Sequence, residues 1–180
     1  IFEIKAICEI RQIEKILISS RNESTAQNAI KILAKSGMSA EVADSKTVCQ
    51  SADILVTVTN ARAPLFDADW IKPGTHISAM GADQSGKQEL PVELVNNASL
   101  FADLPTQSRA IGEFEMASQK NPNLKITSIG AVLTEKAKGR ADDSQITIFD
   151  SSGIALQDLC VARAVLDAAI KQELATYVSF

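Results

Sequence analysis

Aromatic residues and positive charge are both scarce in this 180-residue sequence. Phe, Trp and Tyr make up 4% of the chain, and the net charge is -4 with a pI near 5.1. Proteins that bind single-stranded nucleic acids stack the bases on aromatic side chains, and proteins that bind duplexes need a basic surface for the phosphates. The composition therefore argues against nucleic acid as a partner.

Cysteine is rare as well, and the three residues lie far apart. Cys8, Cys49 and Cys160 are odd in number and lack the short spacing of metal-binding motifs. A disulfide framework would need paired cysteines at regular spacing. We therefore expect buried, reduced thiols, and we expect neither zinc nor another bound metal.

The chain also lacks a long hydrophobic run. No apolar stretch approaches the roughly 20 residues of a membrane-spanning helix, and the first residues do not combine a basic segment with an apolar core, as signal peptides do. We therefore expect a cytoplasmic protein without a membrane partner. With 46% hydrophobic and 22% charged residues, the chain has enough apolar side chains for a globular core.

The sequence does contain a series of short apolar runs with the length of buried strands. Helical patterns lie between several of them, and this alternation predicts an α/β fold with a doubly wound parallel sheet. The strongest run, residues 53–59, is apolar through its middle and is predicted to lie near the sheet centre. The six runs are residues 14–19, 39–43, 53–59, 76–80, 99–103 and 146–149.

Helices are predicted from apolar periodicity and from capping residues. Ser24 is a candidate N-cap for a helix that ends at Gly37, which would form one βαβ crossover, and Pro91 opens a short helical turn. Residues 129–138 have the pattern of a helix closed by a glycine. Residues 154–175 have the pattern of a long helix with one apolar side.

Segment 79–90 is the strongest candidate for a functional site. It follows a strand run directly and carries an acid and a base, Asp83 and Lys87, on a loop with glycines. Ligands of open α/β sheets bind at the carboxyl ends of the strands. There Asp83 could exchange a proton with a reacting carbon or nitrogen, and Lys87 could hold an anion or keep the carboxylate ionised. The alternative is a solvated turn.

Residues after two other strand runs are candidates for cofactor recognition. Residues 19–22 follow the first strand run, where a dinucleotide fold binds the adenosine ribose; an acid there binds the 2'-hydroxyl, whereas an arginine accommodates a 2'-phosphate. Ser20, Arg21 and Asn22 include no acid, so Arg21 favours NADP(H) over NAD(H). The alternative is an ordinary exposed arginine at a helix start. Thr57 and Thr59 could contact a cofactor, although β-branched residues are common in strands.

A second polar segment follows the last strand run. Ser151 and Ser152 could cap the final helix, and a helix N-terminus can also bind a phosphate or carboxylate. His76 lies inside a strand run and is interpreted as a core residue, as is Trp70. Arg109 stands alone in a polar stretch and is interpreted as a surface charge rather than an anion ligand.

Five segments form an ordered series from residue 57 to residue 158. They are residues 57–59 (TVT), 81–90 (GADQSGKQEL), 107–109 (QSR), 139–153 (GRADDSQITIFDSSG) and 157–158 (QD). Taken together, they resemble the ornithine cyclodeaminase and mu-crystallin family. The resemblance covers almost the whole chain, and an ordered series of this kind is more specific than a single glycine motif.

The resemblance implies an NAD(P)-dependent enzyme with a Rossmann domain and a second domain for substrate binding and dimerisation. It implies hydride transfer at a carbon next to a carboxylate, a small imino or amino acid as substrate, and a homodimer. Asp83 matches the catalytic aspartate, Lys87 a cofactor-contacting lysine and Ser152 a substrate-pocket position. Cofactor-lining positions are matched by Ser20, Arg21, Thr59, Ala79, Met80, Gly81, Ala82 and Ser151.

Several activities within the family remain open. A ketimine or pyrroline-2-carboxylate reductase, an ornithine cyclodeaminase that forms proline, and an alanine dehydrogenase all fit the resemblance. In mu-crystallins the aspartate position is not acidic, so Asp83 favours an enzyme. The alternative is a non-catalytic binding protein of the mu-crystallin type, or an inactive fragment.

The start of the chain departs from the family pattern. Members carry a first Rossmann strand and a Gly-x-Gly-x-x-Ala loop before the helix that residues 1–10 resemble, and this sequence shows neither. We therefore expect a Rossmann-like sheet lacking its first strand, within a partial dinucleotide-binding domain of residues 1–150. Residues 151–180 would be a helical segment of a second domain. We expect the complete protein to be longer and the 180-residue chain alone to be inactive.

Overall fold

A computed structural model describes residues 1–178 and shows an α/β fold built on parallel strands. The strands β1 and β2 pair with each other, and the other five form one sheet in the order β3-β4-β7-β5-β6. Every one of these pairings is parallel, which confirms the predicted class. The strands are β1 (Leu17–Ile18), β2 (Glu41–Val42), β3 (Ile54–Thr57), β4 (His76–Ala79), β5 (Ser99–Ala102), β6 (Ile126–Ser128) and β7 (Thr147–Asp150).

Helices form most of the connections between strands. The predicted short helix after Pro91 and the predicted long C-terminal helix are both present, as α4 and α8. A 3-10 turn spans Ala68–Trp70. The helices are α1 (Phe2–Ile10), α2 (Glu23–Ala34), α3 (Ser45–Ser51), α4 (Val92–Asn97), α5 (Pro105–Ile111), α6 (Glu115–Lys120), α7 (Ile129–Leu133) and α8 (Ala155–Lys171).

The helix α2 begins earlier than predicted and ends near the predicted glycine. Its N-cap is Asn22, in an extended conformation, so Ser24 lies inside the first turn and the predicted cap was wrong. At the other end Gly37 has a φ of +75°, and its amide donates to the carbonyl of Ala34. A glycine adopts this left-handed conformation without a steric cost, which explains the predicted stop.

The main hydrophobic core lies on one face of the five-stranded sheet. Leu55, Ile77, Leu100 and Ile148 come from four different strands, and each is at most 6% exposed. They line the same face because successive side chains in a strand point to opposite sides. Helices and loops cover them with Leu90, Leu94, Val95, Phe114, Ala117 and Leu124. This packing holds in place the strand ends that carry the candidate site.

The strand β3 is an edge strand in this structure, so the predicted central position was wrong. It pairs with β4 on one side, and within residues 1–178 no strand pairs with its other side. Its residues alternate between half-buried and buried because one of its faces packs on the core. The apolar run predicted the strand and one buried face, but not the half-buried second face or which strands lie on either side.

Two elements after β5 also differ from the prediction. Residues 126–128 form β6, a short strand beside β5 that no apolar run indicated. The helix predicted over residues 129–138 ends at Leu133, because the chain turns at Glu135 with a φ of 58°. Hydrogen bonds from Lys136 and Ala137 back to the carbonyl of Ala131 then close the turn.

The long helix α8 does not contribute to the core. None of its residues is buried, and apolar side chains such as Leu159, Val165 and Leu166 are more than half exposed. The helix ends at Lys171, four residues earlier than predicted. Across the part of the chain that the structure describes, no helix is both long enough and apolar enough to cross a membrane.

Predictions for single side chains are confirmed in part. Cys49 is buried, and burial raises the pKa of its thiol to about 11, but Cys8 is half-buried and Cys160 is exposed; all three are free. Trp70 packs against the core as predicted. Arg109 is not a solvated surface charge, because its guanidinium donates to the backbone carbonyls of residues 122 and 124.

Candidate active site

The carboxyl ends of β3 and β4 lie side by side and carry most of the predicted site residues. The two strands are in register, with Thr57 opposite Ala79, and the amide of Met80 donates to the carbonyl of Thr57 at 2.8 Å. Ala79, Gly81 and Ala82 are buried, whereas Thr59 and Asp83 are exposed. The structure therefore brings the 57–59 and 79–83 segments together at one edge.

Asp83 and Lys87 form an ion pair on the loop after β4. The Nζ atom of Lys87 lies 2.5 Å from a carboxylate oxygen of Asp83. The same ammonium donates to the side chain of Asn60 at 3.0 Å and to the carbonyl of Gly81 at 3.2 Å. An ammonium has three protons, so these acceptors use all of them. The Lys87 side chain is 10% exposed and that of Asp83 is 56% exposed, so a buried cation supports an exposed carboxylate.

The charge of Asp83 follows from this contact. The hydrogen bond from Lys87 lowers the pKa of Asp83 below its ordinary value, against a small opposing effect of burial. Asp83 is therefore ionised near neutral pH, where it accepts protons and stabilises cations. Lys87 is engaged by protein acceptors in this structure, so a direct contact with a cofactor stays a prediction.

Glu89 lies behind this loop, and the sequence interpretation gave it no role. It is fully buried, and its Oε1 accepts a hydrogen bond from the amide of Thr59 at 2.6 Å while its Oε2 accepts one from the amide of Gly81 at 3.1 Å. The sequence did contain a signal for Glu89, because this acidic residue stands directly before the apolar residues Leu90 and Pro91. An acidic side chain that is buried requires hydrogen-bond partners.

Two more buried carboxyl groups lie near Glu89. Glu113 accepts hydrogen bonds from the amides of Glu89 and Leu90, and Asp150 accepts one from the hydroxyl of Ser108. Burial raises the pKa of Glu113 to about 8 and that of Asp150 to about 7, and neighbouring carboxylates add to both shifts. Among the residues that the structure describes, no three acid, histidine or cysteine side chains are arranged to hold a metal ion.

The loop after β7 belongs to the same edge, because β7 pairs with β4 and Asp150 lies opposite Ala79. The Ser151 hydroxyl donates to the carboxylate of Asp103 at 3.0 Å. The side-chain amide of Gln107 donates to the hydroxyl of Ser152 at 3.2 Å. The N-cap of α8 is Ile154, without a side-chain hydrogen bond, so neither serine caps that helix.

The remaining predicted cofactor residues lie at the end of β1 and inside β3. Ser20, Arg21 and Asn22 are all exposed between β1 and α2, and β1 pairs with β2 rather than with β3. Thr57 is 5% exposed, so its side chain faces the core rather than the edge. Its hydroxyl has no hydrogen-bond partner within the described residues.

Comparison with known proteins shows what the chain is similar to. A sequence model of the ornithine cyclodeaminase/mu-crystallin family matches residues 1–173. Alanine dehydrogenase of Archaeoglobus fulgidus is 34% identical over an alignment of 183 positions. The alignment covers 99% of this chain and 56% of that protein. The chain thus spans about half the length of the curated relatives it matches.

Solved structures share the fold over the same extent. An archaeal alanine dehydrogenase dimer with bound NAD has a TM-score of 0.92 at 34% identity, and the match covers 99% of this chain and 57% of that one. The Δ1-pyrroline-2-carboxylate reductase of Thermococcus litoralis, in complex with NADH and L-proline, has a TM-score of 0.91 at 25% identity, covering 98% and 56%. Sequence and fold agree that this chain belongs to the ornithine cyclodeaminase/mu-crystallin family.

Proposed function

We propose that the protein is an NAD(P)H-dependent oxidoreductase that acts on small imino or amino acids. The observation that carries this proposal is the exposed Asp83 carboxylate, held ionised by the buried Lys87 at the carboxyl edge of the sheet. Relatives named alanine dehydrogenase and Δ1-pyrroline-2-carboxylate reductase support the substrate class. A cyclic ketimine such as pyrroline-2-carboxylate, or ornithine cyclised to proline, is the substrate we favour.

We propose that a dinucleotide binds at the carboxyl ends of the strands. Ser20, Arg21 and Asn22 are exposed polar groups at a strand end, where the adenosine ribose of a dinucleotide lies in such folds. A nicotinamide bound at this edge supplies or accepts the hydride. Similar solved structures contain NAD or NADH, whereas Arg21 favours a 2'-phosphate and hence NADP(H). The other proposed contacts are Thr59, Ala79, Met80, Gly81, Ala82, Lys87 and Ser151.

Asp83 is proposed to control the charge on the substrate nitrogen. In reduction, a protonated imine receives a hydride at carbon and becomes an amine, and the ionised carboxylate stabilises the protonated imine. In oxidation, the carboxylate takes a proton from the substrate ammonium, and the nitrogen lone pair then assists departure of the hydride. Lys87 keeps Asp83 ionised in both directions. Ser152 is proposed to contact the substrate.

The first prediction concerns Asp83→Asn in the natural polypeptide. An amide cannot accept the proton or balance the iminium charge, so kcat/KM with a cyclic imino acid should fall by roughly 100-fold or more. Steady-state NADPH oxidation measures this. Asp143→Asn, the same change at an exposed aspartate before β7, should leave the rate unchanged.

Two results would count against the proposal in different ways. An unchanged rate for Asp83→Asn would show that this carboxylate has no part in proton transfer. If the natural protein turns over no amino or imino acid with either coenzyme, the mu-crystallin-like binding function is the better explanation.

The second prediction concerns coenzyme choice. Arg21→Asp replaces a cation that can pair with the 2'-phosphate by an acid that can accept from the 2'-hydroxyl. The ratio of kcat/KM for NADPH to that for NADH should fall by roughly 10-fold or more. This change corresponds to the free energy of one lost hydrogen bond to a charged group. Lys35→Asp, at the exposed far end of α2, is the control. An unchanged ratio would overturn the NADP(H) assignment.

We further propose the division into two domains that the resemblance implies. Residues 1–150 would form the partial dinucleotide-binding domain, and residues 151–180 a segment of a substrate and dimerisation domain. The exposed apolar side chains of α8 and the dimeric state of the archaeal relative support this division and a homodimeric assembly. The last two positions, 179 and 180, lie outside the described residues.

A further inference from the structure

Glu89 joins the two loops that form the candidate site. Its two carboxylate oxygens accept from different loops, with Oε1 taking the amide of Thr59 at 2.6 Å and Oε2 taking the amide of Gly81 at 3.1 Å. Thr59 and Gly81 lie beyond the paired residues of β3 and β4, so their amides are outside the hydrogen bonds of the sheet. One rigid group therefore determines the spacing between the two loops.

Both backbone polar groups of Gly81 form hydrogen bonds with side chains. Its amide donates to Glu89, and its carbonyl accepts from the ammonium of Lys87 at 3.2 Å. A Cβ at this position would lie 2.5 Å from the Glu89 carboxyl carbon and from the carbonyl of Thr59, so the carboxylate packs directly on the glycine backbone. Because Asp83 follows two residues later, a displacement of Glu89 would displace Asp83.

The backbone of Glu89 is itself fixed by two neighbours. Its amide donates to the Glu113 carboxyl group at 3.0 Å, and its carbonyl accepts from the amide of Leu65 at 2.8 Å. Burial raises the pKa of Glu113 to about 8, so Glu113 is mainly neutral at pH 7. Glu89 is fully buried and cannot reach a ligand at the edge.

We propose that Glu89 is a positioning residue, which holds the Thr59 and Gly81 loops at the separation that aligns Asp83 with the reacting carbon and nitrogen of the substrate. This inference rests on the proposed function, because alignment matters only if Asp83 takes part in the reaction. Glu89 acts through the backbone of Gly81 and through the contacts of Lys87 with Gly81 and Asp83.

The test is Glu89→Gln in the natural polypeptide. Glutamine has one acceptor oxygen in place of two, and its amide group would face a backbone N–H, so one of the two loop contacts is lost. With saturating coenzyme and substrate, kcat should fall roughly 10- to 100-fold, the cost of a small misalignment. KM for the substrate should change much less than kcat. Glu89→Asp, which keeps both oxygens on a shorter side chain, should show an intermediate loss.

Thr75→Val is the matched control for stability. Thr75 is fully buried at the other end of β4, and its hydroxyl donates to the carbonyls of Ala52 and Lys72. The variant loses buried hydrogen bonds in the same sheet but leaves the loops at the carboxyl edge intact. It should lower the melting temperature without lowering kcat when assayed well below that temperature.

Hydrogen exchange provides a readout that does not depend on activity. In the natural protein the amides of Thr59 and Gly81 should exchange as slowly as those inside β4. Fast exchange at both positions would overturn the inference, even if Glu89→Gln does not fold. A kcat for folded Glu89→Gln equal to that of Thr75→Val would also overturn it. If the natural protein itself is inactive, the proposed function fails first, which is a distinguishable result.

Discussion

Three carboxyl groups near the candidate site lie in different surroundings. Asp83 is exposed and receives a hydrogen bond from Lys87, which lowers its pKa. Glu113 is buried, and desolvation raises its pKa to about 8, although two backbone amides partly oppose the shift. Glu89 is buried between two amides that both donate to it. Residue type alone does not predict these differences, because Glu89 and Glu113 are both glutamates and yet have different partners.

The third prediction, at the residue scale, is a pH dependence of stability caused by Glu113. Its pKa is raised from 4.5 to about 8 in the folded state, so between these values the folded protein holds a proton that the unfolded chain has released. The free energy of unfolding should therefore fall as the pH rises through this window and level off above it. Asp150, with a pKa raised to about 7, acts in the same direction.

Glu113→Gln tests this assignment. The single oxygen Oε1 already accepts from the amides of Glu89 at 3.0 Å and Leu90 at 2.7 Å, so a glutamine carbonyl at that place keeps both hydrogen bonds. Urea unfolding at several pH values from about 5 to 8 should show a weaker decline for the variant than for the parent. Glu93→Gln, at an exposed position on α4, should keep the parental slope. Equal slopes in all three proteins would contradict the assignment.

At the scale of elements, the period of the apolar residues was the reliable signal. The six apolar runs predicted six of the strands in place, β1 to β5 and β7, because helices cover a parallel sheet and leave few polar positions. β6 was not predicted because it is three residues long and only half-buried. The early end of α7 was not predicted either, because the helical pattern continues to residue 138 while the chain turns at Glu135.

The polar residues of the loops could be identified from the sequence, but most of their hydrogen-bond partners could not. Asp83 and Lys87 lie on the same short loop, and their ion pair agrees with the predicted role of Lys87 in keeping the carboxylate ionised. Ser151 and Ser152 were as consistent with helix capping as with ligand binding, and their actual partners are Asp103 and Gln107. Those partners lie more than 40 positions away in the chain, beyond the reach of any local pattern.

At the scale of the whole molecule, the open surfaces are the notable feature. α8 carries a set of exposed apolar side chains, and the free edge of β3 has no strand beside it within residues 1–178. Natural proteins usually cover such edges and apolar surfaces. The similar proteins are nearly twice as long as this chain, since it spans 56% of the alanine dehydrogenase.

The fourth prediction belongs to the same scale. We expect residues 1–180, expressed by themselves, to show negligible turnover with NADPH and a cyclic imino acid, because the apolar side chains of α8 and the free edge of β3 have no packing partner among residues 1–178. Steady-state NADPH oxidation by a purified sample of residues 1–180 tests the expectation. A rate clearly above that of the enzyme-free mixture would refute it.

The sequence by itself determined the α/β class, the place of six strands and of the long C-terminal helix, the family, and the loop that carries Asp83 and Lys87. These features depend on periodicity, turn residues and short spacings, which are encoded within a few consecutive residues. Only the tertiary structure decided that β3 lies at an edge and that Glu89 bridges the amides of Thr59 and Gly81. Thr59 and Glu89 are 30 residues apart, and such a pair forms only when packing of the whole sheet brings the two loops together.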